Sequence, residues 1–353
     1  MSGKVVAVAG ATGAVGTEML KVLETRRFPV RKLVALASAR SAGKRLGFAG
    51  GEVEVQELTE GSFDGVEIAL FSAGGSRSKL FAPAAVAAGA VVVDNSSAFR
   101  MEDDVPLVVP EVNAAAIRGH KGIIANPNCS TILLAMPLWP IHRAARVTRC
   151  IVATYQAVSG TGAKAISELA RQTAAVMGRP AYAEAALLAG MGVRDDRPHV
   201  VDGLERVAYP HQIAFNLLPH IGDFYPEADT TEERKLVDEM HKIFSDASIR
   251  IFGTTVRVPV FRAHSEAVHI QTATPISPDE VREILAEAPG VEVVDDPAKN
   301  RYPMPIEATG RAEVLVGRIR RDPSVENGLA FFLSGDQLLK GAALNAVQIA
   351  ELL

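Results

Sequence analysis

The start of the chain places the strongest constraint on its fold. A short apolar run at residues 5–9 leads directly into Gly10-Ala11-Thr12-Gly13-Ala14-Val15-Gly16, and a helical pattern follows at residues 15–24. Glycines let such a loop turn tightly and bring the backbone close to a pyrophosphate at the helix N-terminus. The spacing G-x-x-G-x-x-G differs from the usual dinucleotide fingerprint, and an ordinary strand-to-helix turn would also accept it. The strand, loop and helix context favours a nucleotide site.

Short β-branched runs alternate with helical patterns through the first third of the chain. Further strands are predicted at residues 33–37, 68–71 and 91–94, and a second helix at residues 78–88. This rhythm is typical of parallel strands joined by crossover helices. The sequence therefore predicts an α/β, Rossmann-type domain over residues 1–128.

After Cys129 the pattern changes. Longer strand-like runs at residues 147–158, 254–261, 266–274 and 314–319 indicate antiparallel or mixed sheet, and helical patterns lie between them at residues 163–177, 232–244 and 278–288. Ser277, Pro278 and Glu280 form a helix-start signal for the last of these. Residues 129–334 are thus expected to form an α+β domain with a mixed sheet. Apolar residues at helical spacing predict a closing helix at residues 335–353.

Composition argues against two classes of binding partner, nucleic acid and membrane. The chain has 353 residues, enough for two domains, and 37 Lys and Arg against 41 Asp and Glu leave no basic excess for nucleic acid. The longest apolar stretch, residues 81–93, is shorter than the roughly 18 residues of a membrane-spanning helix. The first residues lack the features of a signal peptide. We expect a cytoplasmic protein with neither nucleic acid nor membrane as partner.

The loop after the second strand points to the type of dinucleotide. Residues 29–51 contain no Asp or Glu that could hold a ribose 2′-hydroxyl. Ser38, Arg40 and Ser41 stand there instead, and a guanidinium suits the 2′-phosphate of NADP. A solvated basic loop would have the same composition. Ser72, Gly74 and Asn95 follow later strands and are expected to line the rest of the crevice.

Cys129 is the candidate nucleophile. It follows the polar turn Asn126-Pro127-Asn128 and precedes an apolar, helix-like run. A cysteine at a helix N-terminus is expected to have a lowered pKa, because its thiolate faces the positive end of the helix dipole. The alternative is a small buried hydrophobe, which is our interpretation of Cys150 within a strand. With two cysteines the chain has too few for a disulfide framework or a thiolate zinc site, and we expect no metal.

A thiolate beside a nicotinamide suggests hydride transfer to or from a carbonyl carbon that is bound to sulfur, by way of a thioester. This chemistry needs an acid/base. Histidine suits that role because its pKa lies near neutrality. His264 stands where strand-like segments meet charged residues, but a lone histidine is often structural, and periodicity does not single it out among the eight histidines.

The sequence resembles the bacterial aspartate-semialdehyde dehydrogenases over nearly its whole length. The resemblance rests on segments in the same order, at residues 10–16, 94–100, 126–131, 154–160, 209–219, 257–266, 335–337 and 341–343. It implies an NADP-binding domain, a catalytic and dimerisation domain, and a homodimer. The implied reaction is the reductive dephosphorylation of L-aspartyl 4-phosphate to L-aspartate 4-semialdehyde by NADPH, a step in lysine, methionine and threonine biosynthesis.

The resemblance also implies residue roles. Cys129 would be the nucleophile, His264 the acid/base and Gln156 the residue that orients the substrate. Arg257 would bind the substrate carboxylate and Glu232 its ammonium group, while Lys235, Arg100 and Asn128 would contact phosphate. A surface ion pair is the alternative for Glu232 and Lys235. Gln337 matches a cofactor-contacting position of the family, which implies that the last helix packs back on the nucleotide domain. The full set of candidate cofactor residues is Gly10, Thr12, Gly13, Ala14, Val15, Gly16, Ser38, Arg40, Ser41, Ser72, Gly74, Asn95, Ser159, Gly160 and Gln337.

Three other functions compete. The most distant is that of a phosphorylating glyceraldehyde-3-phosphate dehydrogenase, whose nucleophile context differs from Asn128-Cys129-Ser130. N-acetyl-glutamyl-phosphate reductase follows a similar plan, but an acetylated amine would not require a carboxylate such as Glu232. A catalytically silent NADP-binding protein is possible because fold does not fix function, although Cys129, Gln156, Arg257 and His264 are all present.

Overall fold

A computed structural model describes residues 3–178 and 203–353. Seven strands of the N-terminal part form one sheet in the order β3-β4-β2-β1-β5-β6-β7. Their ranges are β1 (Lys4–Ala9), β2 (Val30–Ala37), β3 (Arg45–Phe48), β4 (Gly51–Glu57), β5 (Ile68–Phe71), β6 (Val91–Asp94) and β7 (Ile123–Ala125). Pairing is parallel except between β3 and β4. The predicted parallel strands are confirmed, whereas β3, β4 and β7 were not expected.

Helices cover this sheet. Helix α1 (Ala14–Thr25) follows the glycine loop, α2 (Gly75–Ala87) follows β5, and the short α3 (Pro110–Asn113) precedes β7. The apolar side chains of α1, among them Met19 and Leu23, pack in one buried cluster with Val6 and Val8 of β1. The helix predicted at residues 78–88 begins a few residues earlier in the structure, at Gly75.

The second sheet is mixed, as predicted. Its order is β11-β12-β13-β10-β8-β9, and its strands are β8 (Val147–Gln156), β9 (Arg250–Arg257), β10 (His264–Thr272), β11 (Val291–Val293), β12 (Val314–Arg321) and β13 (Gly328–Gly335). β8 pairs in parallel with β9, and β11 with β12, while the other pairs are antiparallel. The prediction that a strand covers residues 254–261 is wrong after Arg257, where β9 ends level with the end of β8.

Helix α4 (Cys129–Ala145) carries the core of this part. Its apolar residues, including Ile132, Leu133 and Met136, are buried in a cluster with side chains of β8, β10 and β13. Within the described residues, the other helices of this part are α5 (Ala163–Met177), α6 (Thr231–Phe244), α7 (Pro278–Ala286) and α8 (Pro305–Ala308). Ser277 caps α7 through a capping box with Glu280, as predicted from the sequence.

The C-terminal segment differs from the continuous helix predicted for residues 335–353. β13 ends at Gly335, and Asp336 Oδ1 then accepts the backbone N–H groups of Leu338 and Leu339. Residues Leu339–Ala343 form a π-helical segment before helix α9 (Leu344–Glu351) begins. Helix α9 packs into the core of the first sheet, so the predicted return of the C-terminus is confirmed. The domain limits 1–128 with 335–353 and 129–334 stay a prediction.

None of the helices within residues 3–178 and 203–353 combines the length and apolarity needed to cross a membrane.

Candidate active site

Cys129 is the first residue of α4, directly after the N-cap Asn128. The Asn128 side chain accepts the backbone N–H of Ser130 at 3.0 Å through Oδ1, and its Nδ2 donates to Glu232 Oε1 at 3.0 Å. The predicted position of Cys129 at a helix N-terminus is therefore confirmed. Asn128 both caps the helix and ties the start of α4 to α6.

The expectation of a lowered Cys129 pKa is wrong. Although the side chain keeps some solvent exposure, surrounding protein atoms remove most of its hydration, and this burial raises the pKa to about 12, with the nearby Glu232 carboxylate raising it further. Arg257, Arg100 and the Ser130 N–H group lower the pKa, but by less. Cys129 is consequently a thiol, not a thiolate, at neutral pH in this state.

Three strand ends bring the other catalytic candidates together. Gln156 ends β8, Arg257 ends β9 opposite it in register, and His264 begins β10. The backbone of Ala157 links two of them, because its N–H donates to His264 Nδ1 at 3.0 Å and its carbonyl accepts from Arg257 Nη1 at 2.7 Å. Gln156, Arg257 and His264 therefore lie at the same end of the second sheet.

Gly160 lies against this end of the sheet, next to Arg257 and His264. A Cβ atom at Gly160 would lie 3.2 Å from Arg257 Nη1 and 3.3 Å from His264 Nε2. Such contacts are tight, so a larger residue would press on both side chains. The glycine, predicted as a cofactor contact, lies directly against the catalytic candidates.

The hydrogen bond at Nδ1 fixes the tautomer of His264. A backbone N–H only donates, so Nδ1 is unprotonated and the proton of the neutral ring is on Nε2. Burial, and then the positive charge of Arg257, hold the His264 pKa well below its usual value. Nε2 is buried and has no hydrogen-bond partner among the described residues. His264 thus presents one N–H donor, which can hydrogen-bond to an oxygen that becomes negative during a reaction.

Glu232 is a buried, ionised carboxylate. It is 6% exposed, and it accepts from Asn128 Nδ2 at 3.0 Å, Gln156 Nε2 at 3.3 Å and Lys235 Nζ at 3.3 Å. Burial alone would raise its pKa, but Lys235, Asn128 and Gln156 together hold the pKa below its usual value. The alternative interpretation of Glu232 and Lys235 as a surface ion pair is wrong for the carboxylate, which is buried. The Lys235 side chain is 32% exposed.

Arg100 contacts the loop that precedes Cys129 and is itself buried. Its Nη1 donates to Glu239 Oε1 at 2.9 Å and its Nε to the carbonyl oxygen of Asn126 at 2.9 Å. Sequence reasoning missed Glu239. Its spacing from Glu232 and Lys235, seven and four residues, was the available signal, because such positions share one helix face.

The candidate cofactor residues surround a cavity of about 180 Å³ at the carboxyl ends of the first sheet. Six of them line it: Gly10, Thr12, Gly13, Ser38, Arg40 and Ser72. Gly10 has a φ of +91°, and a Cβ there would collide with the Ser72 carbonyl oxygen, so the close approach of the two loops requires glycine. Arg77, at the start of α2, also lines the cavity and was missed.

The remaining cofactor candidates lie nearby or have other partners. Ala14, Val15 and Gly16 form the first turn of α1, Ser41 ends a short turn after β2, and Gly74 caps α2. Both polar atoms of the Asn95 side chain are buried without a hydrogen-bond partner in the described part of the chain. Gln337 instead uses its amide within the protein, accepting the Ala263 N–H at 2.8 Å and donating to Ser159 Oγ.

This arrangement fits a dinucleotide phosphate. The first turn of α1 contains no acidic residue, its N–H groups face the loop, and Arg40 and Arg77 supply positive charge at the cavity. Among the described residues there is no group of three or more His, Cys, Asp and Glu side chains that could hold a metal ion.

Comparisons with known proteins agree with this geometry. The family models "Semialdehyde dehydrogenase, NAD binding domain" and "Semialdehyde dehydrogenase, dimerisation domain" match residues 5–120 and 138–340. Aspartate-semialdehyde dehydrogenase from Aquifex aeolicus is 52% identical over 99% of this chain and 97% of its own length. The chain belongs to the aspartate-semialdehyde dehydrogenase family.

Solved structures of the family have the same two-part architecture. Aspartate semialdehyde dehydrogenase II from Vibrio cholerae, complexed with ASA, has a TM-score of 0.89 at 45% identity, covering 100% of this chain and 98% of the other. The Candida albicans enzyme with NADP has a TM-score of 0.72 at 25% identity, covering 99% and 98%. The α/β fold class with a nucleotide-binding domain and a second, mixed-sheet domain is confirmed.

Proposed function

We propose that this chain catalyses the NADPH-dependent conversion of L-aspartyl 4-phosphate to L-aspartate 4-semialdehyde and phosphate. The observation that carries the proposal is the buried, ionised Glu232 beside Cys129, held by Asn128, Gln156 and Lys235. A substrate with a free ammonium group matches that carboxylate, whereas an N-acetylated amine does not. Glu232 therefore favours aspartyl phosphate over N-acetyl-glutamyl phosphate.

The chemistry follows from the residues at the strand ends. The Cys129 sulfur attacks the acyl carbon and a carbon–sulfur bond forms. Phosphate leaves with the bonding electrons of the carbon–oxygen bond and takes up the proton of the thiol. When bound, NADPH supplies the hydride that reduces the resulting thioester. The negative oxygen of the tetrahedral carbon accepts a hydrogen bond from His264 Nε2. As the carbonyl forms again, the Cys129 thiolate leaves and takes a proton from water.

Charged side chains match the charges of the substrate. Arg257 binds the α-carboxylate through its planar fork, and its Nε is a buried donor without a partner in the ranges described. Arg100, Lys235 and Asn128 bind the phosphate, and Gln156 orients the substrate next to Glu232.

We further propose that the cavity at the carboxyl ends of the first sheet takes NADP in preference to NAD. Arg40, with Ser38 and Ser41, contacts the 2′-phosphate, and the Gly10–Gly16 loop holds the pyrophosphate on α1. Asn95, Ser72 and Gly74 line the crevice, and Ser159, Gly160 and Gln337 close it on the side of the second domain. The unpartnered Asn95 amide supports a ligand there.

The assembly and location are also proposals. The match of residues 138–340 to a dimerisation-domain model supports a homodimer, which we assign to the second domain, residues 129–334. We place the enzyme in the cytoplasm, with neither nucleic acid nor membrane as partner.

The test is the reverse reaction with L-aspartate semialdehyde, phosphate and NADP⁺, followed as NADPH absorbance. We expect phosphate-dependent reduction of NADP⁺ that disappears in Cys129→Ala and persists in the matched control Cys150→Ala, because Cys150 is buried in β8 away from the strand ends. Turnover retained in Cys129→Ala would exclude the covalent route. Activity with N-acetyl-glutamate semialdehyde in place of the aspartate compound would reject the substrate assignment.

A further inference from the structure

Glu239 connects the proposed phosphate site to the nucleophile loop. It lies on α6, is 1% exposed, and uses both carboxylate oxygens. Oε1 accepts from Arg100 Nη1 at 2.9 Å, and Oε2 accepts the backbone N–H of Asn128 at 2.6 Å. One side chain thus joins the arginine to the residue that precedes Cys129.

The protein holds Arg100 on several sides. Besides the bond to the carboxylate, Nε donates to Asn126 O at 2.9 Å and Nη2 donates to Asn95 O at 2.8 Å. A guanidinium has five N–H groups, so one on Nη1 and one on Nη2 are left for a ligand. Lys242, also on α6, donates to the carbonyl oxygen of Arg100 at 2.8 Å. Helix α6 therefore fixes both the backbone and the side chain of this arginine.

We propose that Glu239 is a positioning residue for the phosphate site. It orients the Arg100 guanidinium and fixes the Asn128 backbone, so that Arg100 and Cys129 both contact the same acyl phosphate group. The inference rests on the proposed function and deepens it. Charge alone predicts the opposite effect, because a carboxylate behind the phosphate site repels a phosphate dianion. Position and charge can consequently be separated by experiment.

The substitution Glu239→Gln separates the effect of position from the effect of charge. Glutamine keeps the shape but has an NH2 group in place of one carboxylate oxygen, so either Arg100 Nη1 or the Asn128 N–H then faces a donor and loses its acceptor. In the reverse reaction we expect the KM for phosphate to rise about tenfold or more, while the KM for NADP⁺ stays within about twofold. An unchanged or lower KM for phosphate, as charge removal alone would give, would overturn the proposal.

Two further variants test whether the effect passes through Arg100. Arg100→Lys should itself raise the KM for phosphate, and adding Glu239→Gln to it should change that KM by no more than about threefold, because coupled residues are not additive. The matched control is Glu233→Gln on the same helix, whose carboxylate accepts the Thr230 and Thr255 N–H groups at 2.8 and 3.0 Å. Full additivity with Arg100→Lys, or an equal rise in Glu233→Gln, would refute a specific role.

A binding measurement separates this inference from the proposed function. Inorganic phosphate should protect Cys129 from iodoacetamide in the wild type, with a protection constant about tenfold or more weaker in Glu239→Gln. Protection without turnover of aspartate semialdehyde would reject the proposed function and leave the role of Glu239 standing. If phosphate does not protect Cys129 in the wild type, the proposed role of Glu239 is refuted. If the glutamine variant does not fold, Glu239→Asp, one methylene too short to reach both partners, replaces it in every comparison.

Discussion

Replacing Lys340 with methionine should destabilise the protein through one buried ammonium group. Lys340 lies in the π-helical segment Leu339–Ala343 and is 1% exposed. Its Nζ donates to Glu111 Oε2 at 2.5 Å, Asn345 Oδ1 at 2.9 Å and Gln348 Oε1 at 2.8 Å, so all three N–H bonds are used. Burial lowers the Lys340 pKa to about 8, and measurements at pH 6.5 therefore keep the group charged.

The size of the effect follows from what the ammonium leaves behind. Lys340→Met keeps the chain length, but Glu111 loses its counter-charge and retains the bond from Gln348 Nε2 at 2.8 Å. Breaking a buried ion pair by removing one partner costs about 3–5 kcal/mol. Because the Glu111 side chain keeps 12% exposure to water, we expect the lower end, about 3 kcal/mol. Combining Lys340→Met with Glu111→Gln should cost less than the sum of the single changes, by about 1–3 kcal/mol.

Urea unfolding at pH 6.5 measures these differences. Lys299→Met is the matched control, because Lys299 pairs with Asp296 at 2.8 Å while its side chain is 76% exposed, and such surface pairs contribute about 0–1 kcal/mol. If Lys340→Met costs no more than Lys299→Met, or if the two changes at positions 340 and 111 simply add, the buried pair does not stabilise this junction as reasoned here.

Two further predictions concern the thiol and the cofactor. In a Cys150→Ala background, alkylation of Cys129 by iodoacetamide should accelerate about tenfold per pH unit from pH 7 to 10, because a pKa of about 12 keeps the thiolate a minor species throughout; a plateau below pH 9 would contradict this. Arg40→Ser should raise the KM for NADP⁺ about tenfold or more and leave that for NAD⁺ within about twofold, since a charge-assisted bond to a phosphate contributes about 1.5–3 kcal/mol. Arg45→Ser, which removes an exposed arginine paired with Glu52, is its control, and an equal loss there would refute a specific contact.

Local patterns predicted much of the first sheet. The glycine loop, α1 and the central parallel strands depend on residues close together in the chain, so periodicity and turn chemistry identify them. The hairpin of β3 and β4 was missed because its strands are short and mostly exposed. At the C-terminus, apolar spacing was compatible with one continuous helix, but β13 extends to Gly335 because it pairs with His264 of β10. That pairing joins residues far apart in the sequence and leaves no local signal.

The candidate site shows the same division. Motifs and family resemblance identified Cys129, Gln156, Arg257 and His264, yet their proximity results from pairing among β8, β9 and β10. The Cys129 pKa was predicted wrongly because the helix dipole is visible in the local sequence, whereas the burial and the Glu232 charge that outweigh it are not. Glu239 was missed for a related reason, since its partners precede it by more than a hundred residues.

Hydrogen bonding distinguishes the residues that hold the site from those that await a ligand. Glu239 has a protein partner on each carboxylate oxygen, as a structural anchor requires. By contrast, Asn95, Arg257 Nε and His264 Nε2 are buried polar groups that lack a partner among the described residues, an arrangement that costs about 1–3 kcal/mol per group. A fold tolerates such a cost mainly where function requires it. Since these three groups lie at the ends of β6, β9 and β10, where dinucleotide and acyl phosphate are proposed to meet, ligand binding would recover part of that cost, and the affinity for both ligands would include it.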